Sequence, residues 1–189
     1  MKNKRNVGLV CSAILGLALT AQAQTNFVWT NSLGGAWGTV TKWGTNSAPL
    51  LGGSNDYVIT FNANAALSAT NDRADTFGNF ALNQLIFSAG TNTIYGGLGT
   101  NLVFTNNISG VLPYVFQNTA TTNILNIGVN LATNTLFGGS GNQLITLNSN
   151  VFGTGALIVN LTNFNSGGNL QLTDPTNTPA RFYRLQLSQ

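Results

Sequence analysis

The sequence contains no histidine, and its four acidic residues are all aspartates, so glutamate is absent as well. Its one cysteine, Cys11, lies near the N-terminus inside an apolar run. A scaffold held by disulfides is therefore excluded, and so is a zinc site built on histidine or thiolate ligands. Catalytic mechanisms that need a histidine are excluded for the same reason, and those that need a cysteine are excluded for the chain that remains if the N-terminal segment with Cys11 is removed.

Charged residues make up only 6% of the chain, and their balance depends on one short segment. The formal net charge is +3, and Lys2, Lys4 and Arg5 at the N-terminus account for all of it. The rest of the chain has equal numbers of basic and acidic residues and is neutral. Binding to nucleic acid or to an anionic membrane surface needs a basic face, so we expect neither.

Residues 1–23 have the pattern of a secretory signal peptide. The basic residues precede an apolar core from Val7 to Leu19, and Ala21-Gln22-Ala23 is a small-x-small cleavage site. The apolar core is shorter than the roughly 20 residues that span a bilayer. The sequence predicts cleavage after Ala23 and a secreted, extracellular or cell-surface protein, with no membrane insertion after cleavage.

Asn, Thr, Gly and Ser are abundant, and they separate short alternating runs of Leu, Ile, Val and Phe. Lysine and glutamate, which usually cover helix surfaces, are scarce or absent, and the regular apolar runs argue against disorder. We expect one all-β domain over residues 24–172 and a distinct C-terminal segment at 173–189. That segment contains ARFYRLQL, interpreted as a strand that covers the last coil, or alternatively as a sorting or docking signal.

The N-terminal part of the domain holds all three tryptophans, separated by Gly- and Thr-rich turns. Alternation predicts short strands at 26–30 and 39–43, which we interpret as a hairpin-like cap, because stacked repeats leave an edge and an apolar face to cover. A further strand is predicted at 57–62, whereas residues 63–78 are polar, Ala-rich and predicted to be a loop. The tryptophans are Trp29, Trp37 and Trp43.

Three later segments share the pattern apolar-x-apolar-x-x-Asn-apolar-x-small. A period near 20 with short strands and small turn residues predicts a β-solenoid. The asparagines at the shared position are then expected to stack at one corner as a hydrogen-bonded ladder, unless they simply suit turns. The segments are Leu102–Gly110, Leu125–Thr133 and Ile145–Gly153, which begin 23 and 20 residues apart, and the asparagines are Asn107, Asn130 and Asn150.

The run LITLNSNVFGTGALIV at 144–159 resembles the autotransporter-associated β-strand repeat of large secreted bacterial passenger proteins. In that family an apolar strand and an Asn/Ser corner lead into Gly-x-Gly-x-Leu, matched here by residues 153–157. The Trp-rich stretch, NDYVITFN and NQLIFSAG also resemble the first coils of such proteins. The resemblance implies a right-handed parallel β-helix with the Trp-rich cap at its N-terminal end; an antiparallel β-sandwich is the alternative. No room is left for a C-terminal translocator barrel, so self-secretion is not expected.

Two groups of side chains are candidates for function. Asp72 and Asp75 flank Arg73 and could act as acid and base or, with Asn71, bind calcium; a solvated charged loop is the alternative. The tryptophans offer ring faces for stacking against sugars, unless the cap buries them.

With so few ionisable groups, we expect a structural or adhesive module, not an enzyme, with no cofactor and no metal. Its expected partner is an extracellular polysaccharide or the cell envelope. The alternative is a polysaccharide-binding or polysaccharide-active β-helix protein.

Overall fold

The structure is a computed structural model. Among the residues it describes there are short β-strands and a single 3-10 helix at Val40–Lys42, and no helix in this part of the chain is long and apolar enough to cross a bilayer. The expected signal peptide, apart from Ala23, and most of the C-terminal segment lie outside the described residues. These are 23–97, 99–107, 109–119, 121–139, 145–159, 170–172 and 186–187.

Three sheets make up the fold, and the first, sheet A, has seven strands paired in chain order. Its pairing is parallel throughout, as for Phe27 opposite Ile59. Its strands are β1 (Thr25–Trp29), β3 (Tyr57–Phe61), β6 (Gln84–Phe87), β9 (Tyr114–Gln117), β12 (Thr135–Gly139), β15 (Leu157–Val159) and β17 (Gln186–Leu187).

Sheets B and C are also parallel and contain six and four strands. The strands of sheet B are β2 (Gly35–Ala36), β4 (Ala66–Asn71), β7 (Thr91–Gly96), β10 (Asn123–Asn126), β13 (Ile145–Leu147) and β16 (Leu170–Leu172). The strands of sheet C are β5 (Asn79–Leu82), β8 (Asn101–Phe104), β11 (Gly128–Leu131) and β14 (Val151–Gly153).

The chain visits sheets A, B and C in turn and then returns to A, so each round forms one coil. Coil 1 is β3-β4-β5, coil 2 is β6-β7-β8, coil 3 is β9-β10-β11 and coil 4 is β12-β13-β14. The all-β prediction is confirmed, and three parallel sheets visited in this order are consistent with a β-solenoid. The antiparallel sandwich alternative is wrong, because every pairing between the described strands is parallel.

The register of the coils differs from the predicted repeat. Between coils 3 and 4, Asn123 lies opposite Ile145, an offset of 22 residues, instead of Leu125 opposite Ile145. Leu102 does not align with Leu125 either, since it lies in sheet C opposite Val129. A shift by two residues leaves every side chain on the same face, so alternation does not detect the error between Leu125 and Ile145. Alternation also does not distinguish strands of different sheets, which is why the predicted repeat aligns Leu102 of sheet C with Leu125 of sheet B.

Alternate residues of each strand point into a core that is mainly apolar and includes several buried polar side chains, among them Asn92, Gln117 and Asn123. In sheet A the inward positions form a column through successive coils. Trp29 and Phe61 have ring centroids 5.8 Å apart, and Phe61 and Phe87 stack at 5.9 Å. The column then continues through Gln117 to Gly139.

Residues 42–44 lie along the edge of β1 that faces away from β3. Trp29 and Trp43 form an isolated antiparallel bridge. On either side of it, the Thr30 N–H donates to the Lys42 carbonyl oxygen at 3.1 Å, and the Gly44 N–H donates to the Val28 carbonyl oxygen at 2.7 Å. The strand predicted at 39–43 is wrong, since this stretch is the 3-10 helix followed by the bridge residue.

The polar stretch predicted as a loop at 63–78 contains a strand of sheet B. β4 pairs with β7 over six positions, from Ala66 opposite Thr91 to Asn71 opposite Gly96. Its inward residues, Leu67, Ala69 and Asn71, are buried although two of them are small or polar. The strand forms because two neighbouring strands supply its hydrogen bonds, which the composition of the segment does not reveal.

Candidate functional site

The three tryptophans are buried in the N-terminal end of the core. Trp29 and Trp37 are 0% exposed and Trp43 is 1% exposed. The indole of Trp43 packs edge-on against both others, at centroid distances of 5.1 and 6.1 Å, and its Nε1–H donates to the Trp37 carbonyl oxygen at 2.7 Å. The prediction that these rings stack on sugars is wrong, because no ring face reaches solvent.

Residues 71–75, Asn-Asp-Arg-Ala-Asp, are called the NDRAD loop. Its two aspartates accept hydrogen bonds from backbone N–H groups. Asp72 Oδ1 accepts a hydrogen bond from the Gly38 N–H at 2.7 Å. Asp75 Oδ1 accepts bonds from the N–H groups of Phe77 and Asn79 at 2.9 and 2.8 Å. Each carboxylate therefore has a structural role in joining this loop to its surroundings.

The other polar groups of the NDRAD loop are used in the same way. Arg73 Nε donates to the Pro49 carbonyl oxygen at 2.9 Å, and the Asn71 Oδ1 accepts from the Arg73 N–H at 2.9 Å. Asn71 is fully buried, which leaves two aspartates, whereas calcium takes about six to eight oxygen ligands. Across the described ranges, no group of three or more Asp, Glu, His or Cys side chains is placed to hold a metal ion.

The asparagines expected to form a ladder do not stack on one another. Asn130 is half-buried in β11 and lies opposite Val103 and Phe152. Asn107 follows β8, where its Oδ1 accepts from the Val111 N–H at 2.7 Å, and Asn150 is exposed before β14. The ladder prediction is wrong at these positions, because it depended on the incorrect register.

A different pair of asparagines does stack between coils. Asn92 and Asn123 are both 0% exposed, and they lie at equivalent positions of β7 and β10. Asn123 Oδ1 accepts from the Asn92 N–H at 2.9 Å and from Asn92 Nδ2 at 2.7 Å. Asn123 Nδ2 donates to Thr119 Oγ1 at 3.1 Å. Sequence reasoning missed this pair, although both asparagines occur in the pattern Thr-Asn-x-Ile/Leu.

A cleft of about 400 Å³ opens at the corner between sheets B and C. Its volume lies within the range of about 300–1,000 Å³ found for small-molecule sites. Among the described residues, its lining combines glycines with neutral amide and hydroxyl side chains and one aliphatic residue, and none of these is charged. The lining residues are Gly96, Gly97, Gly99, Thr100, Asn101, Asn126, Ile127, Gly128, Ser149 and Asn150.

Two glycines give the cleft its shape. A Cβ added at Gly128 would lie 2.1 Å from Asn101 Oδ1, and one added at Gly96 would lie 2.1 Å from Thr100 Oγ1. Any side chain at either position would displace these polar groups of the wall. The cleft was not predicted, because it is formed by residues from three coils whose register only the structure defines.

Comparison with protein-family models, with curated proteins and with solved structures finds no match to this chain. We therefore infer a function from the geometry of the described residues alone.

Proposed function

We propose that the protein is a secreted or cell-surface β-solenoid module with a structural or adhesive role and no catalytic activity. One observation carries this proposal: the side chains best suited to chemistry or sugar stacking are used by the fold itself. The tryptophans fill the core, and both aspartates of the NDRAD loop accept backbone hydrogen bonds. What the molecule offers a partner is a stacked surface rich in neutral polar groups.

The finer architecture belongs to the same proposal. We infer a right-handed coil, because parallel crossover connections within a sheet are right-handed in about 98% of cases. We also infer that residues 30–44 cap the N-terminal edge, because their backbone hydrogen bonds to Val28 and Thr30 use groups that β1 would otherwise expose. The observation that supports a relationship to the autotransporter-associated β-strand repeat is the set of three parallel sheets.

The proposed location depends on the N-terminal 23 residues acting as a signal peptide. Expression of the full chain in a bacterium, followed by fractionation and N-terminal sequencing, tests this. We expect a secreted product that begins at Gln24. A cytoplasmic product that retains Met1 would contradict it.

The adhesive role is tested with the purified secreted product of the full chain. We expect it to sediment with insoluble cell-envelope material or extracellular polysaccharide and to release no reducing sugar ends from it. An Asp72→Asn variant is expected to behave in the same way. Release of reducing ends that this variant abolishes would replace the proposal with a polysaccharide-active enzyme, and failure of the wild type to sediment would remove the adhesive role.

A further inference from the structure

We propose that the cleft between sheets B and C is a binding site for a neutral saccharide. The inference rests on the proposed adhesive function and goes further, since it names the site and the chemical class of the ligand. Three features of the structure support it: the lengths of the corners that connect sheet B to sheet C in coils 2, 3 and 4, the chemistry of the cleft wall, and one exposed aromatic ring beside it.

The cleft exists because the corners of successive coils differ in length. In coil 2, Gly97, Gly99 and Thr100 lie between β7 and β8, and in coil 4, residues 148–150 connect β13 to β14. In coil 3 the single residue Ile127 makes the same connection between β10 and β11. The short corner is recessed between two longer ones, and the buried Ile127 forms part of the floor.

The wall of the cleft offers donors and acceptors without charge. Thr100 and the first residue of β8, Asn101, lie on one side of the cleft. The Thr100 hydroxyl donates to the Gly97 carbonyl oxygen at 2.8 Å and Asn101 Nδ2 donates to the Gly99 carbonyl oxygen at 3.4 Å, so these two side chains present oxygen acceptors to a ligand. Ser149 and Asn150 lie on the other side. Asn126 lies in β10, and among the described residues its side chain makes no hydrogen bond that would keep it from a ligand. Amides and hydroxyls are the groups that pair with the hydroxyls of a sugar, because each can both donate and accept.

An aromatic ring stands beside this polar wall. Tyr95 is 40% exposed, it precedes the lining residue Gly96, and it lies opposite Asn126 in the register of sheet B. Both side chains point outward from neighbouring parallel strands, which are about 4.8 Å apart. A sugar held by Asn126 would therefore have the apolar face of the Tyr95 ring next to it, and a phenol combines such a face with a polar tip.

Other small ligands fit the cleft less well. A phosphate or carboxylate would need a cation or a cluster of N–H donors, and none of the described lining residues is a Lys or Arg. An apolar ligand would need a larger hydrophobic surface than Ile127, the one aliphatic side chain among the described lining residues, provides. A neutral, hydroxyl-rich molecule is the ligand that this lining matches.

The experiment uses the isotope-labelled secreted product of the full chain and follows its amide resonances during titration. The probes are three neutral oligosaccharides, cellohexaose, xylohexaose and mannohexaose, with hexagalacturonate as the charged comparison. We expect at least one neutral probe to shift resonances of residues 95–101 and 126–128, and hexagalacturonate to leave them unchanged.

Two variants and a control locate the binding. Tyr95→Ala removes the ring and is expected to weaken binding about tenfold. Gly97→Leu fills the rim, where an added Cβ would meet only Thr100 Cγ2 at an ordinary 3.6 Å, and it is expected to abolish binding with the fold intact. Phe77→Ala removes an aromatic ring that is 83% exposed in another loop and should leave the affinity unchanged.

The outcomes separate this inference from the proposed function. If the protein sediments with envelope material but no neutral probe shifts the cleft resonances, the saccharide site is overturned and the adhesive role stands. If binding persists unchanged in both Tyr95→Ala and Gly97→Leu, the site is overturned as well. If a hexasaccharide binds in the cleft but the protein does not sediment, the site is supported and the adhesive role fails.

Discussion

Trp29 begins an inward column of sheet A, and Gly139 occupies the equivalent position in coil 4. At the first end, three aromatic rings from successive strands are in contact. At the other end there is no side chain, and a Cβ added to Gly139 would lie 1.8 Å from the Gln117 carbonyl oxygen. The N-terminal end is therefore filled by side-chain volume, whereas the later coil brings backbone against backbone.

This difference teaches that parallel stacking preserves the direction of a side chain but not its size. Orientation must repeat, because the pleat alternates in step between paired strands. Size is free to vary as long as the cross-section stays close-packed. Substitutions at the two ends should therefore destabilise the fold for different reasons: loss of side-chain volume at the N-terminal end and a clash with the backbone in coil 4.

Removing an indole from the N-terminal end should have the largest effect. Trp43→Ala is expected to lower the free energy of unfolding by about 3–5 kcal/mol, because it leaves a cavity among Trp29, Trp37 and Phe27. Chemical denaturation of the secreted product measures the change. Phe77→Ala is the matched control, and with its exposed ring it should change stability by less than about 0.5 kcal/mol. Equal losses in the two variants would show that the indole cluster is not part of the core.

Adding one methyl group in coil 4 should have the next largest effect. Gly139→Ala is expected to cost about 2–3 kcal/mol, because the new Cβ meets the Gln117 backbone and because φ is +151°. Gly110→Ala is the control, since its φ is +75° but the space around it is open, and it should cost only about 1 kcal/mol. If thermal and chemical denaturation gave the same loss for both, the close backbone approach in coil 4 would be refuted.

Between the two ends, the buried asparagine pair joins coil 2 to coil 3. Asn123→Ala is expected to destabilise the fold by about 1–2 kcal/mol, because it leaves the buried Asn92 N–H without its acceptor. Asn130→Ala is the comparison, and its half-buried side chain lies opposite Val103 and Phe152, so it should cost less. The melting midpoints of the two variants measure the difference. A lower midpoint for Asn130→Ala than for Asn123→Ala would contradict this ranking and favour the asparagine ladder predicted at Asn107, Asn130 and Asn150.

The smallest effect concerns the outer face of sheet A, where Tyr114 lies in β9. Burial raises the pKa of the Tyr114 phenol above its ordinary value of 10.0, and its ring lies 6.0 Å from that of Phe116. Unfolded tyrosine ionises near pH 10, so the stability that neutral Tyr114 contributes is present below that pH and is lost as pH rises through its higher folded pKa. Ultraviolet titration should show a late-ionising phenol that Tyr114→Phe removes, and an unchanged titration in that variant would contradict the raised pKa of Tyr114.

Where side chains alternated strongly, sequence reasoning located the strands well. The strand predicted at 57–62 is β3, with Tyr57, Ile59 and Phe61 buried. The same reasoning failed for β4, whose composition is small and polar and whose conformation depends on its neighbours β2 and β7. It also failed for the 3-10 helix at Val40–Lys42, because a short alternating run next to the edge of a sheet is compatible with either a strand or a turn.

The candidate sites show the same division. The tryptophans and the NDRAD loop stood out because their residue types are rare in this chain, yet the fold uses them internally. The corner cleft is formed by ordinary residues such as Asn126 and Gly128, which no local pattern distinguishes. It depends on three corner lengths and on the offsets between coils, which are properties of pairing and not of composition.

By itself, the sequence determined the alternation of inward and outward residues, and it excluded histidine chemistry and a disulfide scaffold. These follow from residue identity and from the period-two geometry of a strand. Only the tertiary structure decided which strands pair, in what register, and therefore which asparagines meet and where a cleft opens. The physical reason is that partners in neighbouring coils are 22 or more residues apart, and a two-residue slip preserves every local preference while changing every long-range contact.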